Sequence, residues 1–60
     1  MEANINNFLF KLDRANNLIE IFNGSEVERP HSFIRVSPEI DEKEFHFEIS
    51  DWFIDNANMP

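Results

Sequence analysis

Sixty residues with no cysteine, twelve acids against five bases and a net charge of −7 allow one small domain and exclude several classes of protein at once. The missing cysteines rule out a disulfide scaffold and a thiolate zinc site, and the charge disfavours nucleic acid or an anionic membrane as a direct ligand. A chain this short buries only about 60% of the surface that its unfolded form exposes, so without a staple the composition predicts a homodimer sharing a core built largely from seven Phe and one Trp.

The amino terminus, MEANINNFLFKLDRANN, has neither a basic cluster followed by an apolar run nor a stretch long enough to span a bilayer. Together with the lack of cysteine, this predicts a soluble cytoplasmic protein organised as a single domain over residues 1–60. From Ile5 to Phe22 the residues Ile5, Phe8, Leu9, Leu12, Ala15, Ile19 and Phe22 recur at spacings of three and four, the stripe of an amphipathic helix. Gly24, the only glycine, follows as a left-handed cap. Asn16 and Asn17 are poor interior residues for such a helix, and LIEIF at 18–22 also reads as a strand entering a turn. On the helical reading Phe10, Leu18 and Ile21 point away from the main stripe and become candidates for a dimer or target interface.

Ser25 to Ser32 is a polar connector. Ile34 and Val36, then Phe45, Phe47 and Ile49, alternate with polar residues, the period-two pattern of strands with one dry face. The stretch between them, Ser37 to Lys43, contains Pro38 and is strongly polar, which predicts an antiparallel hairpin with an acidic tip. Ser50 and Asp51 cap a short helix through Trp52, Phe53, Ile54 and Asp55 to about Asn58. Trp52 and Phe53 cannot both face one core and join the interface candidates. The fold class expected is therefore α+β: an N-terminal amphipathic helix, an antiparallel hairpin with a possible third strand at 18–22, and a short C-terminal helix.

Glu44, His46 and Glu48 share one face of the expected strand, but no second histidine lies at ligand spacing, so no metal is expected. No paired nucleophile and base stand out, and a chain of this size is not expected to build a catalytic pocket of a few hundred Å³ unless subunits share it. The protein is expected to be a non-enzyme with no cofactor. What remains is an acidic arc of Glu39, Asp41, Glu42, Glu44, Glu48, Asp51 and Asp55, seven acids against Lys43 alone. It predicts a basic protein partner. The reading that follows is a small acidic interaction module that inhibits a larger basic protein. Its economy is that of a phage-type inhibitor of a bacterial defence or nucleic-acid-processing protein, acting where carboxylates imitate phosphates. The alternatives are an antitoxin or immunity-type partner and a purely structural dimerisation module.

Overall fold

Two asparagine pairs decide the N-terminal half. A computed structural model describes residues 1–24 and 26–57, and in it Asn6 and Asn7 both adopt positive φ, 48° and 71°. Asparagine tolerates that region far better than most residues, and two such residues in succession make the two-residue turn whose twist matches a hairpin. They join β1 (Glu2–Ile5) to β2 (Phe8–Asp13). The second pair closes the next hairpin. Asn17 has φ 55°, while the Asp13 carboxylate accepts from the backbone N–H of Ala15 and Asn16 at 3.0 and 3.2 Å and from the Asn16 amide at 2.8 Å. This loop leads into β3 (Leu18–Asn23).

The expected N-terminal helix is therefore absent. Its apolar positions serve two antiparallel strands, and the strand considered for 18–22 is the one that forms. Gly24 has no positive φ and caps no helix. It permits a close approach, since a Cβ there would lie 2.6 Å from the backbone oxygen of Asn7. A longer connection, of which Ser25 lies outside the described residues, brings the chain to β4 (Ser32–Arg35). The four strands form one antiparallel sheet in sequence order.

The expected second arm of a hairpin, Glu44 to Ser50, is instead part of a single helix α1 (Glu42–Ala57). Ser37-Pro38-Glu39-Ile40 makes a turn in which Ile40 N–H donates to Ser37 C=O at 3.1 Å. Asp41 then caps the helix, its Oδ1 accepting from Glu44 N–H at 2.8 Å. Ile40, just before the cap, and Phe45, at the fourth helical position, both lie in the core, the staple arrangement that fixes how a chain enters a helix. The shorter helix expected from Ser50 to about Asn58 is the last part of this one, with Asn58 outside the described residues.

The helix covers one face of the sheet. Phe10, Ile19 and Ile21 from the sheet meet Ile40, Phe45 and Ile49, with Ala3, Phe8, Leu12, Ile34, Val36, Trp52 and Phe53 packed around them. At one end Phe8, Phe10, Trp52 and Phe53 form an edge-to-face cluster, with ring centroids 5.2 Å apart for Phe8–Trp52 and 5.4 Å for Phe10–Phe53. At the other end the guanidinium of Arg14 donates to Ile40 C=O at 3.1 Å, tying the second hairpin loop to the helix entry. Phe47, expected in the core, is 67% exposed, because residues 45 and 47 lie about 200° apart around a helix where they would share one face of a strand.

Candidate partner-binding surface

The helix sorts the acidic arc into groups with different tasks. Core contact is made by Phe45, Ile49, Trp52 and Phe53. At about 100° per residue, Glu44, Glu48, Asp51 and Asp55 fall in one row along the flank of the helix, successive members about 6, 4.5 and 6 Å apart along the axis. Glu42 lies on the other flank, where its carboxylate is 3.9 Å from His46 Nε2. Asp41 is committed to the helix cap, and Glu39 sits exposed in the preceding turn. The seven acids thus form one four-membered ridge and three separate charges. The helix also turns His46 away from Glu44 and Glu48, and no cluster of three metal-ligating side chains occurs among the described residues.

Beside the ridge, diametrically opposite the core, stand Phe47 and Ile54, 67% and 62% exposed and seven residues apart. The period-two reading hid this pair by assigning Phe47 to the core, whereas the same residues at period 3.6 display it. The helix surface therefore carries an apolar pair flanked by four carboxylates.

The residues considered for an interface separate as sharply. Phe10 and Ile21 are 0% exposed and offer nothing to a partner. Trp52 and Phe53, which were not expected to face one core together, both pack against it, and half-buried in the aromatic cluster they line, with Phe8, His31 and Asn56, a cleft of about 210 Å³. Leu18 lies on the sheet face away from the helix, in cross-strand register with Arg35 and Asp13. That face also carries Leu9 opposite Phe22, Lys11 between Glu2 and Glu20, and Phe33 opposite Glu20. The Lys11 ammonium lies 5.9 Å from the Phe22 ring centroid.

Charge follows the layers. The segment from Glu39 to Asp55, seven acids against one lysine, carries −6 of the net −7. The sheet layer is close to balanced. Among the described residues no helix is long and apolar enough to cross a membrane. Comparisons of the chain with family models, with curated proteins and with solved structures find no match.

Proposed function

We propose that the protein is a non-catalytic binding module whose helix docks on a basic protein and inhibits it by covering the basic surface. One observation carries this reading: Glu44, Glu48, Asp51 and Asp55 align on one flank of α1 beside the exposed pair Phe47 and Ile54. An amphipathic helix with apolar anchors is a recurrent recognition element, and flanking carboxylates add steering toward positive charge. The ridge spans about 16 Å. A nucleic-acid strand places one charge per about 3.4 Å of duplex axis, so four carboxylates stand where a strand would present about five phosphates. A groove built for nucleic acid is thus one basic surface it fits, and a defence or nucleic-acid-processing protein is the kind of target that has one. An antitoxin or immunity partner would use the same ridge on a cognate toxin.

The test is capture of the partner from a host lysate, followed by association kinetics with the purified pair. Reversing Glu44, Glu48 and Asp51 to lysine should slow association at least about tenfold at low salt and flatten its salt dependence. Reversing Glu2, Glu26 and Glu28 changes net charge equally and should have a much smaller effect. Equal effects of the two triples would show that only net charge matters and would remove the ridge from the account.

The sheet face away from the helix, where Phe33 is 55% exposed and Leu9 and Leu18 are half-buried, favours a second reading, a homodimer with sheets apposed through Leu9, Leu18 and Phe33 and the acidic helices turned outward. Such packing brings two near-neutral faces together and keeps the two helix layers apart. Sedimentation equilibrium at tens of micromolar should then give twice the 7.1 kDa chain mass, with Phe33→Glu returning it to the monomer. A wild-type monomer under those conditions would end this reading.

A further inference from the structure

The sheet has two edges, β1 and β4, and they differ in what stands beside them. Val36 N–H donates to Asn17 C=O at 3.0 Å. Because inward and outward pairs alternate along an antiparallel ladder, Ser32 and Ile34 turn their backbone groups toward β3, while Phe33 and Arg35 turn theirs away from the sheet. At the opposite edge, Met1 C=O accepts from Leu12 N–H at 3.0 Å, and the same alternation turns Glu2 and Asn4 outward.

Next to β4 lies a cleft of about 330 Å³ lined by Arg35, Val36, Ser37, Ile40, Glu44 and Glu48. Two carboxylates of the ridge therefore stand on the helix side of this edge, which no strand pairs among the described residues, against one guanidinium. On the other side of the strand, Phe33 is 55% exposed. An open edge is a template for another strand, and the side chains beside it select which. Two copies joined through β4 would bring Glu44 and Glu48 of each toward those of the other, a like-charge contact that disfavours self-pairing. A strand with positive side chains on the helix side meets the opposite situation.

We propose that β4 accepts an extended basic segment of the partner as a fifth strand, its Lys or Arg side chains facing Glu44 and Glu48 and its alternate side chains lying beside Phe33. The inference rests on the reading of the acidic ridge as a partner surface and adds the form in which the partner is held. Backbone hydrogen bonds to Phe33 and Arg35 supply affinity, and the alternation of side chains supplies selectivity.

The probe is a ten-residue peptide alternating Lys and Thr with blocked ends, titrated into the isotope-labelled full chain. At saturation the amides of Phe33 and Arg35 should exchange at least about tenfold more slowly, with Glu2 and Asn4 unchanged. A Lys-Pro repeat of equal charge, which lacks half the backbone donors, should bind at least about tenfold more weakly. Phe33→Pro removes an outward N–H without breaking a ladder bond and should weaken the Lys-Thr peptide similarly. If that variant fails to fold, exchange in the wild-type complex decides. Binding of both peptides alike, with Phe33 and Arg35 exchanging at their free rates, would overturn strand addition. In that case Glu44→Gln with Glu48→Gln separates the two readings, since loss of binding leaves the ridge standing and unchanged binding removes it too. Failure of the Lys-Thr peptide to bind at all would also overturn the proposal.

Discussion

The sheet layer and the helix layer are built by different means. The sheet is assembled by local turn chemistry: two residues at positive φ join β1 to β2, a carboxylate and a third left-handed asparagine join β2 to β3, and a glycine lets Asn7 and Gly24 approach. The helix depends on one cap and on a stripe of four residues that reach the sheet. Charge divides along the same line, with most of the acids on the helix segment and a nearly balanced sheet. One helix can thus give its inner stripe to the core and its outer flank to the candidate binding surface. Reversing Glu44, Asp51 and Asp55, the exposed members of the ridge, should alter binding without unfolding the chain, because exposed charges contribute typically under about 1 kcal/mol each.

The largest expected effect tests whether the two sides of the helix are as distinct as the packing indicates. Phe45 is 1% exposed in the core, whereas Phe47, two residues on, is 67% exposed. Phe45→Ala should cost about 3 to 5 kcal/mol, a large part of what holds a domain this size together. Phe47→Ala should stay within about 0.5 kcal/mol in urea or thermal unfolding while weakening partner binding. If the two variants melted alike, the helix would be rotated from the orientation described, and the exposed pair with Ile54 would lose its meaning.

The same two phenylalanines show why the C-terminal half was hard to read. Phe45, Phe47 and Ile49 alternate with polar residues, and that alternation fits a strand. It arises because a helix with buried 45 and 49 happens to place an apolar residue outside at 47. The signal that discriminates is Asp41-x-x-Glu44, a cap followed three residues later by an acid, and the stripe 45, 49, 52, 53 that follows it. In the N-terminal half the ambiguity runs the other way. Phe8, Phe10, Leu12, Ile19 and Ile21 fit a sheet face at period two, while Ile5, Phe8, Leu9 and Leu12 fit a helix. Asn6-Asn7 and Asn16-Asn17 carried the decision, as turn residues at hairpin spacing. The acids of the ridge were legible as acids. Their division into a ridge, a cap and separate charges required the helix.

The smallest expected effect tests the turn chemistry of the sheet. The Asn16 side-chain amide, donating to Asp13, holds the Asp13 carboxyl below its ordinary value; desolvation opposes it, and the backbone N–H groups of Asn16 and Ala15 add to the lowering. A carboxyl whose folded-state pKa is lowered stabilises the fold above its unfolded value, about 3.9, and loses that contribution as pH falls through the lower folded value. The turn is isolated by difference. Urea midpoints of wild type and Asp13→Ala should be separated at pH 7, with wild type the more stable, and the separation should shrink below about pH 4. A gap that stayed constant down to full protonation would mean that Asp13 holds the second hairpin through its shape rather than its charge.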